Sequence, residues 1–317
     1  MTSIKVLDLS MNQLTSLPFW FGKFNGLIRL SLPSNAIFGP IPVALQNLTS
    51  LEFLDLAYNN VNFVPLWVGR LKSLVHIDLT VNALYGPIPN VFQNMSSIRV
   101  LELAFNYINS VPLWFGNVRS LTQLDLSHNA LEGLFPDAFQ NMTGLRFLAL
   151  PSNSFTSLVP QWLGNFKKLV HLDLSLNKFT SIEGALSSIL RDQCELQSLY
   201  LSFNKFQGEA FRTLNNLSKC KTYELEELDL SYNNFSGQLP DWLGQMKNLK
   251  YIILESNSFF GLIPLSLGEL LNLTELRLSH NRLQGTVPIF IGQLVRLNAL
   301  DLSHNDLNGS IPQSIGQ

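Results

Sequence analysis

Apolar and polar residues alternate in short stretches that return every 23 to 29 residues along this chain. In the segment 51–59, Leu54 and Leu56 flank Asp55, and this period of two is that of a half-buried strand. An asparagine closes each stretch in the pattern Leu-x-x-Leu-x-Leu-x-x-Asn. The closing residues are Asn12, Asn35, Asn59, Asn82, Asn106, Asn129, Asn153, Asn177, Asn204, Asn233, Asn257, Asn281 and Asn305.

Self-similarity at this period predicts a leucine-rich-repeat solenoid of the α/β class, with about thirteen repeats in a single domain spanning 1–317. The strands are expected to stack into a parallel sheet on a concave face, with leucines inward and the alternate residues facing solvent. An asparagine side chain carries both donors and an acceptor. We therefore expect the repeated asparagines to satisfy backbone groups of neighbouring coils.

The second half of most repeats contains glycine and proline in the order Leu-x-Gly-x-Ile-Pro, as in 283–288 and 307–312. This order predicts a turn, a short extended piece and then a short helical or 3-10 segment on the convex side, for example at 266–270. Each tryptophan lies two residues after a repeat proline. Because all of them occupy this same position of the repeat, we expect them to pack on the convex side and not to stack on sugars. They are Trp20, Trp67, Trp114, Trp162 and Trp242.

The run from Leu283 to Asn305 resembles the plant-specific class of extracellular leucine-rich repeats, and the resemblance covers essentially the whole chain. That class includes receptor-like kinases, receptor-like proteins without a kinase, and secreted polygalacturonase inhibitors. The resemblance implies a peptide or protein ligand, co-receptor kinases with short leucine-rich-repeat ectodomains, and a place at the extracellular face of the plant plasma membrane.

Composition gives no sign of other partners. Charged residues make up 14% of the chain and the net charge is −2, which leaves no electrostatic footprint for nucleic acid or for contact of this segment with a membrane. No apolar run is long enough to span a bilayer. No kinase, cofactor or metal-site pattern occurs.

Residues 1–7 superpose on 95–101, so we expect the chain to be a slice of a longer ectodomain, without caps or a signal peptide. Because a solenoid needs capping repeats, we expect this chain to aggregate when it is made alone.

Catalysis is not expected, although two histidines lie two residues before an aspartate on predicted strands. His76 precedes Asp78 and His171 precedes Asp173, but no nucleophile accompanies either pair. The acid at this strand position recurs in eight repeats, which favours a solvated scaffold role. We therefore predict no enzyme activity, no catalytic residues and no metal site.

Both cysteines lie in the two longest repeats. Cys194 and Cys220 fall in adjacent coils, whose spacing is compatible with either a disulfide or two buried free thiols. The string from Cys194 to Leu199 resembles the cysteine-marked repeats of plant receptor-like proteins, and this resemblance favours the disulfide. Such a bridge implies an oxidising compartment.

Asn-x-Ser/Thr sequons mark candidate N-glycosylation sites, and three of them repeat at a step of 47 residues. These three sequons occupy the same position of the repeat, outside the strands. Glycans attached there would leave the concave face open. The candidate sites are Asn47, Asn94, Asn141, Asn216, Asn234, Asn272 and Asn308.

The ligand site is expected on the concave face where apolar, aromatic or basic residues replace the usual ones. The alternative is sequence drift on an unused surface. The candidate contact residues are Phe147, Ala149, His171, Tyr200, Tyr251, Ile253 and Arg277.

The resemblance favours a ligand-recognition segment of a plant receptor-like protein in defence signalling. The alternatives are the ectodomain of a developmental receptor kinase, a secreted inhibitor of microbial wall-degrading enzymes, and a fragment with no function as expressed. A kinase domain encoded downstream would identify the receptor kinase. Co-purification with polygalacturonase would identify the secreted inhibitor.

Overall fold

The computed structural model describes residues 3–182, 184–212 and 220–316. The chain divides into two compact units, residues 1–132 with 136–154 and residues 133–135 with 155–317. That all 317 residues form one domain stays a prediction. Within the described residues, no helix is long and apolar enough to cross a membrane.

The first unit is built on seven parallel strands, one from each coil, which form what we call its main sheet. Neighbouring coils pair in register, so that Leu54 lies beside Ile77 and Asp55 beside Asp78. The strands are Val6–Asp8, Arg29–Ser31, Phe53–Asp55, His76–Asp78, Val100–Glu102, Gln123–Asp125 and Phe147–Ala149. The predicted parallel sheet is confirmed.

After the main strand Val6–Asp8 the chain goes directly to a 3-10 helix, whereas the next five main strands of the first unit are each followed by a lateral strand and then a 3-10 helix. The lateral strands pair only in twos, Phe38–Pro40 with Asn60–Phe63 and Tyr85–Pro87 with Tyr107–Ser110. Both pairs shift register at a proline, which has no N–H to donate. The 3-10 helices are Phe19–Lys23, Val43–Leu45, Leu66–Arg70, Asn90–Asn94, Leu113–Asn117 and Asp137–Asn141. Two short strands, Glu132–Gly133 and Ser154–Phe155, lie where the chain passes between units.

The second unit repeats the plan with six parallel strands in its own main sheet. They are His171–Asp173, Ser198–Tyr200, Glu227–Asp229, Tyr251–Ile253, Glu275–Arg277 and Ala299–Asp301. Its lateral strands form a continuous five-stranded sheet of Gln207–Glu209, Asn234–Gln238, Ser258–Gly261, Arg282–Thr286 and Asp306–Asn308. Its helices are one α-helix, Ala185–Asp192, and 3-10 helices at Gln161–Asn165, Asp241–Gln245, Leu265–Glu269, Ile289–Gln293 and Gln313–Gly316.

Leucines of the strands fill the core of each unit, as the alternation predicts; Leu54 and Leu56 are fully buried. The second unit adds a spine of stacked phenylalanine rings with centroids 5.5–6.5 Å apart, in the range of favourable aromatic pairs. Its members are Phe155, Phe179, Phe206, Phe235 and Phe259.

The closing asparagines connect successive coils through hydrogen bonds. The Asn82 Nδ2 group donates to the carbonyls of Leu56 in the preceding coil (2.9 Å) and Leu79 in its own coil (3.1 Å). Its Oδ1 accepts the N–H of Val61 at 2.8 Å. Buried backbone groups are thereby paired in both coils, so the role predicted for the asparagines is confirmed.

The residue before each closing asparagine adopts a left-handed backbone conformation, with φ between 50° and 55°. None of these residues is glycine, and Val81 is β-branched, which makes its left-handed conformation a costly one. This conformation was not predicted from the sequence, because seven different residue types (Met, Ser, Tyr, Val, Phe, His and Leu) occupy the position.

Each tryptophan is the second residue of a 3-10 helix, and the tryptophans pack to different extents. Trp242 is 4% exposed, and the Trp162 ring lies edge-on to Phe135 with centroids 5.6 Å apart. Trp20 packs against Phe21 and Phe24 but remains 57% exposed. The packing interpretation therefore describes Trp162 and Trp242 better than Trp20.

Candidate functional site

The outward face of each main sheet carries the first and third residues of every strand, because side chains alternate along a strand. In the strand Ser198–Tyr200, for example, Leu199 is fully buried while Ser198 and Tyr200 are half-buried. Register pairing brings equivalent positions of neighbouring coils side by side. Residues that differ from the usual type at these positions therefore lie next to one another on this face.

The acid at the third strand position has a structural role. The Asp78 Oδ1 atom accepts the N–H of Thr80 at 2.8 Å, and the Asp229 Oδ1 atom accepts the N–H of Ser231 at 2.9 Å. Aspartates characteristically bond the backbone two residues on in this way. The scaffold role expected of the recurring acid is thus observed, but these aspartates are half-buried and not fully solvated.

Three of the predicted ligand-contact residues lie together in the second unit. Tyr200, Tyr251 and Ile253 line a shallow cavity of about 190 Å³ on the outward face of the main sheet. Tyr200 pairs in register with Asp229, which pairs with Ile253 in the next strand. The aromatic and aliphatic side chains therefore stand on either side of an acidic strand.

The acidic strand supplies two carboxylates, Glu227 and Asp229, to the wall of this cavity. Asp229 is held in place because its Oδ1 accepts both the N–H and the hydroxyl of Ser231, at 2.9 and 2.6 Å. A cavity with tyrosine rings and carboxylates can receive a side chain that has an apolar stem and a positive end.

Two of the remaining predicted contact residues border this cavity, because His171 lies beside Tyr200 and Arg277 pairs in register with Ile253. The His171 ring lies 5.5 Å from the Tyr200 ring, and Arg277 is exposed and forms an ion pair with Glu275. Phe147 and Ala149 belong to the first unit. Ala149 is only 4% exposed and offers almost no surface to a ligand, so we leave it out of the proposed site.

The first unit has a second polar cluster, in which Glu102 joins the His76–Asp78 pair noted in the sequence. The His76 Nε2 atom lies 3.6 Å from the Glu102 Oε2 atom, and Asp78 stands beside Glu102 in register. Burial raises the pKa of Asp78 to about 6, and the neighbouring charge of Glu102 adds to the increase. The nearby His76 imidazole lowers the pKa of Glu102.

Aromatic and basic side chains continue this cluster on the amino-terminal side. The His76 ring lies 4.4 Å from the Phe53 ring, and the Arg29 guanidinium carbon lies 3.5 Å from the centre of that same ring. Arg29 therefore forms a cation–π contact. Burial also raises the pKa of Asp55, the acid between the Arg29 and His76 strands.

A row of exposed rings at the left-handed positions was not predicted from the sequence. Phe105 stacks on His128 at 3.9 Å in the first unit, and Phe203 stacks on Tyr232 at 4.2 Å in the second. Phe105 and Phe203 are about half exposed, at 50% and 48%. The signal available in the sequence was the recurrence of large side chains directly before the closing asparagine.

Cys194 and Cys220 form a disulfide, with Cα atoms 5.5 Å apart. Cys194 follows the α-helix Ala185–Asp192, in the coil where that helix replaces the usual 3-10 segment. The bridge therefore ties together the two longest coils.

The candidate glycosylation sites differ in accessibility. Asn216 lies outside the described residues. Asn272 is half-buried, its Nδ2 donating to the Lys247 carbonyl at 3.0 Å and its Oδ1 accepting from the Arg296 Nη1 at 2.7 Å. The exposed sites are Asn47, Asn94, Asn141, Asn234 and Asn308.

The leucine-rich repeat region family matches residues 67–259, and further leucine-rich repeat families match 2–61, 272–294 and 296–317. A 57-residue stretch is 51% identical to the brassinosteroid LRR receptor kinase of Solanum lycopersicum, covering 18% of this chain and 4% of that protein.

Among solved structures, the PEPR1-AtPEP1 crystal structure superposes with a TM-score of 0.79 at 31% identity, over 99% of this chain and 47% of that one. The Arabidopsis thaliana GASSHO1/SCHENGEN3 ectodomain, in complex with CASPARIAN STRIP INTEGRITY FACTOR 2, superposes with a TM-score of 0.69 at 30% identity, over 100% and 43%. The chain thus spans less than half the length of these relatives. It belongs to the leucine-rich repeat family and is similar to the ectodomains of plant leucine-rich-repeat receptors.

Proposed function

We propose that this chain is a ligand-recognition segment of a plant cell-surface receptor, and that an extended peptide or a protein segment binds the outward face of the second unit's main sheet. The observation that carries the proposal is the cavity between Tyr200, Tyr251 and Ile253. Aromatic side chains are enriched among the residues that dominate binding energy, and elsewhere on this face the third strand position is usually acidic.

The chemistry of the cavity suggests which ligand side chain it receives. Tyr200 and Tyr251 offer rings for an aliphatic stem, and Glu227 and Asp229 offer negative charge. Lysine and arginine combine a long apolar stem with a positive end. The ligand is therefore proposed to place a lysine or arginine here.

Similarity to receptor ectodomains supports this proposal. The related GASSHO1/SCHENGEN3 ectodomain is solved with its ligand CASPARIAN STRIP INTEGRITY FACTOR 2 bound. By the same resemblance we propose an extracellular location at the plant plasma membrane and co-receptor kinases with short leucine-rich-repeat ectodomains as partners. A role in defence is the finer proposal, with a developmental receptor kinase as its alternative.

A peptide-library selection tests the binding face directly. The chain, fused to a signal peptide and flanked by capping repeats, is secreted from insect cells and panned against displayed random 15-residue peptides. We expect enriched peptides rich in lysine or arginine, and we expect Tyr200→Ala with Tyr251→Ala to abolish their binding. The matched controls are Tyr58→Ala and Tyr85→Ala, which alter tyrosines that are 58% and 72% exposed in the first unit. Equal loss in the controls, or undiminished binding by the double variant, would refute the proposed face.

The secreted-inhibitor alternative predicts a different partner. An immobilised chain would then retain active fungal polygalacturonase and reduce its activity. The inhibitor would be favoured over the receptor if two results were found together. The double variant Tyr200→Ala with Tyr251→Ala would still retain polygalacturonase, and the peptide selection would enrich no peptides.

A further inference from the structure

Three potential metal ligands converge on the outward face of the first unit's main sheet. His76 and Asp78 point to the same side of one strand, and Glu102 lies beside Asp78 on the next. One donor atom from each residue lies within 4.8 Å of the others, and no other His, Cys, Asp or Glu trio in the described residues does so. The geometry points to a divalent metal site, with one imidazole and two carboxylates, suited to Zn²⁺.

One of the three donor–donor distances is already close to that around a bound ion. Zinc bonds of about 2.0–2.2 Å to nitrogen and oxygen place tetrahedral donors about 3.4 Å apart. His76 Nε2 and Glu102 Oε2 are already 3.6 Å apart. The three donor atoms lie within 4.8 Å of one another, and carboxylate end torsions have broad minima, so small rotations of Asp78 and Glu102 are the movement by which the donors would approach a bound ion.

Neighbouring groups orient these three side chains from outside the cluster. Gln123 Nε2 donates to Glu102 Oε1 at 2.8 Å from the next strand, and the Thr80 N–H donates to Asp78 Oδ1 at 2.8 Å. Phe53 packs against the His76 ring. Hydrogen bonds to metal ligands fix their orientation and are part of functional sites. The His76 and Glu102 side chains are 25% and 23% exposed, so an ion can enter and keep water as its remaining ligand.

The second unit provides an internal comparison. His171 and Asp173 occupy the same strand positions as His76 and Asp78. The next strand, however, places Tyr200 beside Asp173, where the first unit places Glu102 beside Asp78. The third ligand is thus replaced by a phenol, and a site is proposed only in the first unit.

Calorimetric titration of the full chain with ZnCl₂, after chelator treatment and dialysis, tests the site. We expect one Zn²⁺ per chain, bound about tenfold or more tighter than Ca²⁺ or Mg²⁺, which prefer all-oxygen ligands. His76→Gln and Glu102→Gln should each weaken zinc binding about tenfold or more, and His171→Gln should leave it unchanged. Tyr200→Glu should create a second site.

Folding controls separate loss of a ligand from loss of structure. Each variant must match the parent chain in circular dichroism and melting temperature when chelator is present. The proposal is overturned if folded His76→Gln and Glu102→Gln bind zinc as the parent does, if His171→Gln weakens binding equally, or if the parent binds no zinc at millimolar concentration. Because the readout is metal binding, its failure leaves the peptide-binding proposal untouched.

Discussion

Asn82 binds the carbonyl of Leu56 in the preceding coil through its side-chain amide, at 2.9 Å. With its contacts to Leu79 and Val61, one buried side chain satisfies backbone groups of two coils. The energetic consequence is testable because an alanine cannot replace any of these bonds.

Asn82→Ala should destabilise the chain by about 3 kcal/mol or more, since each buried group left unpaired costs about 1–3 kcal/mol. Urea unfolding followed by circular dichroism measures the change. Asn62→Ala, at an exposed asparagine in the neighbouring coil, is the control and should change stability by less than about 0.5 kcal/mol. Similar effects for the two variants would contradict the bridging role.

Val81→Asn should stabilise the chain by about 1 kcal/mol, because valine pays most for the left-handed conformation and asparagine tolerates it. Ser34→Asn, at the same position of an earlier coil, should give a smaller gain. The measurement is the shift in urea midpoint at constant slope. A loss of stability in Val81→Asn would show that valine packing outweighs the backbone cost.

Cys194 and Cys220 should be found linked in material secreted from a eukaryotic host. Removing the bridge in the double variant Cys194→Ser with Cys220→Ser should cost about 2–4 kcal/mol, because the unfolded chain loses a cross-link. Mass spectrometry of a non-reducing digest detects the linked peptides. Alkylation of both thiols without prior reduction would exclude the bridge.

Asn272 should be the least occupied of the described sequons, because its amide is engaged by Lys247 and Arg296 in a half-buried setting. Glycopeptide mass spectrometry gives the occupancy of each site. The exposed Asn47, Asn94 and Asn141 serve as references, since they share one repeat phase. Occupancy at Asn272 equal to theirs would refute this prediction.

The raised pKa of Asp78 should make stability depend on pH. Its folded pKa, about 6, lies above the ordinary value of 3.8, so its favourable contribution is complete below pH 3.8 and is lost as pH rises to about 6. The parent chain should therefore lose stability relative to Asp78→Asn over this interval. Urea unfolding of both proteins, with chelator present, measures the difference. A constant difference would refute the assigned shift.

The sequence by itself determined the repeating architecture. Leu54 and Leu56 flank Asp55, and Asn59 closes the stretch; the same pattern recurs along the chain and specifies both the strand and its partner. Because each coil packs mainly on its neighbours, local pattern is sufficient to predict parallel pairing and the buried asparagine bonds. The position of Tyr200 on the outward face followed from the same alternation.

Only the tertiary structure decided which outward residues act together and how deeply they are buried. The repeat register sets Glu102 beside Asp78 and Tyr200 beside Asp173, but only the structure shows that the His76 Nε2 atom comes within 3.6 Å of the Glu102 Oε2 atom. The burial of Asp78 and Ala149 depends on packing between strands more than 20 residues apart in the chain. The left-handed backbone is likewise imposed by the coil, because the turn constrains that position whatever side chain occupies it.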